Sequence, residues 1–154
     1  MTNLITNFYE AFADLEPEKM TSCYHPDVVF EDPAFGILRG EEAKSMWKML
    51  LTSQKGKRFE VTFSDIQAND NEGSAKWEAQ YTFSKTKRNV HNKVRAQFEF
   101  KDGLIIKHTD QFNLYKWSKQ ALGTSGALIG WSSFFKKKLQ AQTNEQLKNF
   151  MIKL

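Results

Sequence analysis

Leu104-Ile105-Ile106-Lys107-His108-Thr109-Asp110-Gln111-Phe112-Asn113-Leu114-Tyr115 alternates with a period of two, the pattern of a strand with one buried face. One parity carries Leu104, Ile106, His108, Asp110, Phe112 and Leu114. Two ionisable groups therefore sit within an apolar stripe, where a lone charge is costly to bury. A fold that keeps them must make room for them. The expected solution is a pocket, and that pocket is where the protein is expected to work.

Upstream of this stretch, Lys101-Asp102-Gly103 is a hairpin signal, and residues 89–101, 74–85 and 58–66 repeat the same alternation between short polar connections. Four antiparallel strands follow from this. Their inward parities carry Phe59, Val61 and Phe63, then Ala75, Trp77, Ala79, Tyr81 and Phe83, then Val90, Asn92, Val94, Ala96, Phe98 and Phe100. The small Ala79 and Ala96 among so many rings leave volume unfilled. The opposite parities carry Lys76, Glu78, Lys93, Arg95 and Glu99, a solvated or subunit-facing surface through which a homodimer is expected.

The segment before these strands reads as helical. Ile5, Phe8, Tyr9 and Phe12 recur on one helical face, and Pro17 suits the first turn of a short second helix carrying Met20, Cys23 and Tyr24. His25-Pro26-Asp27 is expected to end that helix, with His25 exposed. A short strand, residues 28–32, then sets Val28, Phe30 and Asp32 on one face before Pro33 stops it. Gly36 and Gly40 bracket a loop holding Arg39, and Glu41 and Glu42 open a helix whose buried stripe is Ala43, Met46, Trp47, Leu50 and Leu51. Helices, a strand, a helix and then four antiparallel strands make an α+β layer, a curved sheet wrapped over its helices.

Residues 116–154 turn helical again, as an extension of a single domain spanning residues 1–154. Thr143-Asn144-Glu145-Gln146 looks like a capping box opening the last helix. Trp131, Phe134 and Phe135 stand beside Lys136, Lys137 and Lys138, which allows two readings. Membrane contact is one. The favoured reading is a lid that packs its rings over the mouth of the sheet.

Composition narrows the class. The 154 residues include 40% apolar and 14% aromatic side chains, among them 13 Phe and four Trp, enough for a thick core or a ring-lined cavity. The net charge of +4 with both signs interspersed requires neither nucleic acid nor stable membrane association. The basic run Lys85, Lys87, Arg88, His91, Lys93 and Arg95 is expected to keep a hairpin tip soluble. Cys23 is the only cysteine, which excludes an intrachain disulfide and fits a reducing compartment. With no basic-apolar leader and no window of transmembrane length, a cytoplasmic protein is expected. His, Cys and acids nowhere adopt metal-ligand spacing and no phosphate loop is present, so neither metal nor cofactor is expected.

The order of elements, Tyr9 on the first helix, Glu31-Asp32-Pro33 before a Gly-bounded helix, and Gly103-Leu104-Ile105 leading to Asp110-Gln111-Phe112 resemble the nuclear-transport-factor-2-like superfamily. Within it the resemblance, over roughly residues 3 to 115, is to ketosteroid isomerases, limonene-epoxide hydrolases and SnoaL-like polyketide cyclases. It implies a cone-shaped curved antiparallel sheet over N-terminal helices. It also places Asp32 where the isomerases keep their proton-shuttling base and Tyr9 where they keep an oxyanion-hole tyrosine, while Ala96 stands where they keep a second acid. Asp110 matches the water-activating aspartate of the epoxide hydrolases, whose Arg-x-Asp pair falls on Ala79 and Tyr81. His108 and Asp110 resemble the late histidine and aspartate of the cyclases, where the acid is a base toward a carbon acid.

Side chains at i and i+2 of one strand face are spaced about 6 to 7 Å, so His108 and Asp110 are expected to be bridged by a water or a substrate atom. An apolar wall raises a carboxyl's pKa and a nearby imidazolium lowers it. Asp110 is the candidate base, His108 its orienting or charge-balancing neighbour, Asp32 a second acid and Tyr9 a hydrogen-bond donor. Trp77, Tyr81, Phe98, Asn92, Phe112 and Trp47 are the candidate substrate contacts. Three functions remain open: a cofactor-independent isomerase, cyclase or hydrolase acting on a small apolar cyclic or carbonyl compound, a noncatalytic binder of such a compound, or a dimeric interaction module.

Overall fold

The structure, a computed structural model, describes residues 1–154. Helix α1 (Thr2–Ala13) buries Ile5, Phe8, Tyr9 and Phe12, the stripe its spacing implied. A short α2 (Pro17–Thr21) begins at its proline and ends early. Tyr24 therefore does not extend α2 but opens strand β1 (Tyr24–Asp32). The ladder is interrupted between Tyr24 and Val29, and Pro26, which has no N–H to donate, falls within that irregularity. His25 is only half-buried, 3.5 Å from Asp102, rather than a free surface group.

The Gly36-to-Gly40 segment is not a plain loop. Strand β2 (Gly36–Arg39) folds back on β1, with Asp32 opposite Gly36 and Val29 opposite Arg39. Gly36 supplies the positive φ, +76°, that the reversal needs. Helix α3 (Glu41–Gln54) then buries Ala43, Met46, Trp47 and Leu51.

Strands β3 (Phe59–Ala68), β4 (Glu72–Phe83), β5 (Arg88–Lys101) and β6 (Leu104–Gln111) follow as antiparallel neighbours. The six-stranded sheet runs β2-β1-β6-β5-β4-β3 and is curved and unclosed. It is not wholly antiparallel, because β1 lies parallel to β6. Residues 33–103 separate these two strands, so no hairpin dictates their direction. Along β5 the alternation is clean, with Val90, Val94, Ala96, Phe98 and Phe100 buried.

On β6 the parity slips once. Glu99 faces Lys107 but Phe100 faces Ile105, which leaves Ile106 as the extra residue of a bulge. Ile105, not Leu104 or Ile106, is thus fully buried, while His108 and Asp110 keep the inward face. The strand stops at Gln111, and Asn113 caps α4 (Leu114–Leu122) by accepting from the Lys116 amide. Two more helices complete the chain, α5 (Thr124–Ile129) and α6 (Ser133–Ile152). Helix α6 runs unbroken through Thr143, whose hydroxyl donates to Gln140 O and Ala34 O instead of capping a new helix. No helix is long and apolar enough to cross a membrane.

The main core holds 26 buried residues drawn from α1 to α3, the sheet with its neighbours Cys23 and Phe35, and Leu147 of α6. A smaller cluster of Val90, Trp117, Ala121 and Phe135 roots the C-terminal helices against β5.

Candidate functional site

His108 and Asp110 are 0 and 3% exposed, and their side chains bond directly, Nε2 to Oδ1, at 2.8 Å. The expected bridging atom is not needed. Side chains lean along a strand, so an imidazole tip reaches well beyond its Cβ spacing. Trp77 Nε1 points at the same oxygen from 3.4 Å. Asp110 Oδ2 takes no side-chain or backbone hydrogen bond within the protein.

The other ring nitrogen of His108, Nδ1, lies 2.7 Å from the Tyr24 hydroxyl, which accepts from Trp47 Nε1 at 2.8 Å. An indole N–H only donates, so the Tyr24 proton is left for Nδ1, and a neutral ring then carries its own proton on Nε2 toward the carboxylate. The chain of donors runs one way, from Trp47 through Tyr24 and His108 to Asp110. Burial pushes the Tyr24 phenol well above its ordinary pKa, although the Trp47 bond works against this, and so keeps it a donor. Phe98 at 4.5 Å, Phe30 at 5.1 Å and Phe8 at 5.4 Å between centroids enclose the imidazole. His108 thus touches no open space and acts only through its neighbours.

Asp110 does meet open space. It lines a cavity of about 350 Å³ whose wall is mostly apolar. Asp32 lines the same cavity. The Asp32 carboxyl closes the β1–β2 turn, with Oδ1 accepting from the amides of Ala34 at 2.9 Å and Phe35 at 2.6 Å. Burial raises its pKa to about 7; the two amides pull it down and the charge of Asp110 pushes it up. The cavity thus presents one carboxyl held in a donor chain and another poised to keep its proton near neutrality.

Of the candidate substrate contacts, Trp47, Trp77, Tyr81, Asn92 and Phe112 line the cavity. Phe98 lies behind the wall, 2% exposed and packed on His108. Ala79 belongs to the wall, whereas Ala96 is fully buried outside it. Tyr9 also sits off the cavity, stacked on Phe63 at 5.6 Å, with a buried hydroxyl that has no partner. Burial, then the charges of Asp110 and Tyr24, hold its phenol well above the ordinary value.

Sequence reasoning missed Tyr24, having assigned it to a helix. Extending the alternation of Phe30 and Val28 back across Pro26 puts Tyr24 on the same parity, and that signal was available. It also missed the wall supplied by α6 through Leu139, Gln142, Thr143 and Gln146. Helix α6 is tied to the Asp32 turn by three bonds, Gln140 Nε2 to Pro33 O at 3.1 Å, Thr143 Oγ1 to Ala34 O at 2.8 Å and Asn144 Nδ2 to Phe35 O at 2.8 Å. Trp117 of α4 fixes Tyr81 by donating to its hydroxyl at 2.8 Å.

A curved, unclosed sheet wrapped over its helices defines the nuclear-transport-factor-2-like class, and solved structures of that fold match the chain. One is an NTF2-like protein of unknown function from Burkholderia pseudomallei, 13% identical, covering 78% of this chain and 95% of that one with a TM-score of 0.66. An LEH-like epoxide hydrolase from M. tuberculosis is 23% identical over 84% of this chain and 95% of its own, at a TM-score of 0.60. A provisionally assigned polyketide cyclase from Xanthomonas campestris pv. campestris is 21% identical over 77% and 94%, at 0.61. Identities this low establish the fold. The chain belongs to the SnoaL-like domain family, whose sequence pattern matches residues 5–108. No curated protein sequence matches it significantly. Asp110 and the three C-terminal helices lie beyond the matched residues.

Proposed function

We propose that the chain is a cofactor-independent acid/base enzyme acting on a small, largely apolar cyclic or carbonyl compound. The supporting observation is the donor chain from Trp47 to Asp110, which ends on a carboxylate facing the same cavity as Asp32. Asp110 Oδ2 takes a proton from a carbon beside a carbonyl. Protonated Asp32 gives its proton to the oxygen on which charge develops, so an enol forms and both carboxyls exchange state. His108 and Trp77 hold Asp110 in place, and general-base assistance of this kind is worth ~10² to 10⁴ in rate. Both carboxyl states coexist only below the Asp32 pKa, so activity falls as pH rises through about 7.

Deuterium incorporation from heavy water into a panel of cyclic ketones, followed by proton NMR, tests the reading. Asp110→Asn should reduce the exchange rate by about two orders of magnitude or more. An undiminished rate in that variant would remove Asp110 from the mechanism.

A noncatalytic carrier of the same kind of molecule is the second reading. Ala79 and Tyr81 favour it, because they stand where the epoxide hydrolases keep their Arg-x-Asp pair. It requires that no panel member exchange above background and that Asp110→Asn change only the retention of a small molecule, measured by native mass spectrometry.

A further inference from the structure

Four of the seven large apolar side chains left exposed by the whole fold fall within seven consecutive residues: Leu128 at 68%, Ile129 at 51%, Trp131 at 73% and Phe134 at 73%. The rings of Trp131 and Phe134 do not cover the sheet, as the lid reading expected. They project from the turn between α5 and α6, while their neighbour Phe135 alone is buried. This presentation is built in. Trp131 Nε1 donates to Leu128 O at 3.0 Å, Tyr115 Oη donates to Ala127 O at 3.2 Å, and Gly126 packs so close to the backbone of Ser118 that no Cβ fits between them. The apolar tip is therefore held by the helix that precedes it.

The next turn of α6 carries Lys136, Lys137 and Lys138, all exposed. Charge is strongly segregated around this point. Residues 111–154 hold seven lysines against one acid, Glu145, a net charge of +6 in a chain whose total is +4. An exposed tryptophan, a phenylalanine and two aliphatic chains rimmed by ammonium groups suit the headgroup boundary of an anionic bilayer. A second copy of the chain fits less well, because a two-fold contact through this patch would bring the two lysine triplets together.

We propose that the α5–α6 turn is a peripheral docking site for anionic lipid surfaces. Leu128, Ile129, Trp131 and Phe134 enter the interface and Lys136, Lys137 and Lys138 engage the lipid phosphates and carboxylates. Attachment is reversible and salt-sensitive, because an insertion this shallow does not anchor a protein alone. Helix α6 enters the cavity wall at Leu139, immediately after the lysines, so docking brings the cavity wall close to the bilayer. The proposal does not depend on the cavity being catalytic.

Sedimentation of the full chain with phosphatidylcholine vesicles, with and without about one-third phosphatidylserine, tests this. Binding is expected to the anionic vesicles only and to decline as salt is raised. Trp131→Ser with Phe134→Ser, and separately Lys136→Glu with Lys137→Glu, should each weaken it roughly tenfold or more while leaving the thermal midpoint unchanged, since these side chains are exposed. No binding, equal binding to neutral vesicles, or full binding by both variants would overturn the proposal. So would light scattering that finds a dimer which the Trp131→Ser, Phe134→Ser variant converts to a monomer, since that outcome assigns the patch to a second copy.

Discussion

Three polar side chains at or near the core obey different rules. Tyr24 Oη is bonded on both sides, whereas the Tyr9 hydroxyl is buried without a partner. Tyr24→Phe strands the Trp47 indole N–H and His108 Nδ1, and a loss of about 2 to 4 kcal/mol is expected in urea unfolding. Tyr9→Phe removes an unmatched group and should be neutral or stabilising by about 1 kcal/mol in the same measurement. Asp32 carries the pH dependence. Its native pKa of about 7 lies above the ordinary carboxyl value of the unfolded chain, so between the two the native state binds a proton the unfolded state has released. Stability from this group is complete below the unfolded value and is lost as pH climbs through about 7. Asn at this position can still accept from the Ala34 and Phe35 amides but cannot ionise. The thermal midpoint of Asp32→Asn should therefore exceed that of the parent at alkaline pH and vary less between acid and alkaline conditions. His108 and Asp110 were legible because period two marks them against an apolar stripe. Tyr24 was legible only in part: it shares the parity of Val28 and Phe30, but the intervening Pro26 reads as a helix stop as readily as a ladder irregularity.

At the level of elements, short-range signals and long-range ones parted company. Strands β3 to β6 follow from alternation and turn residues, which are local. The β1–β6 pairing depends on which strand arrives alongside, and no short window of sequence contains both strands. Helix α6 shows the same limit. Thr143-Asn144-Glu145-Gln146 has the composition of a helix start, but the Thr143 and Asn144 side chains are spent on the carbonyls of Ala34 and Phe35, more than a hundred residues away. This gives α6 the role of a strap across the turn that holds Asp32. Thr143→Ala with Asn144→Ala removes both bonds and should cost about 1 to 3 kcal/mol. Because the strap supports the turn, amide hydrogen exchange at Ala34 and Phe35 should accelerate more than exchange along β5. Equal protection at those two amides would show that the turn holds itself.

At the scale of the molecule, the inward faces of the strands are rich in rings, and the two small residues among them have different surroundings. Ala79 and Ala96 share the inward face of adjacent strands, and nothing in their local sequence distinguishes them. The structure does, because Ala79 lines the cavity and Ala96 is sealed against its neighbours. The same substitution should therefore act in opposite directions at the two sites. Ala79→Leu extends three carbons into space lined by Trp77, Tyr81 and Phe112. At about 0.8 kcal/mol for each buried methylene, less the rotamer freedom lost, it should stabilise by up to about 1 to 2 kcal/mol. That corresponds to a rise of a few degrees, about 2 to 6 °C, in the thermal midpoint. Ala96→Leu has no space to fill and should destabilise by about 1 to 3 kcal/mol through forced rotamers and backbone shifts. Fluorescence of the neutral probe phenylnaphthylamine reports the cavity itself. Its binding should be lost in Ala79→Leu, although that variant is the more stable, and kept in Ala96→Leu at temperatures where the variant is folded. The opposed changes in stability and binding would show that the open space is bordered by Ala79 and closed at Ala96, since an apolar cavity of either origin takes up an apolar probe.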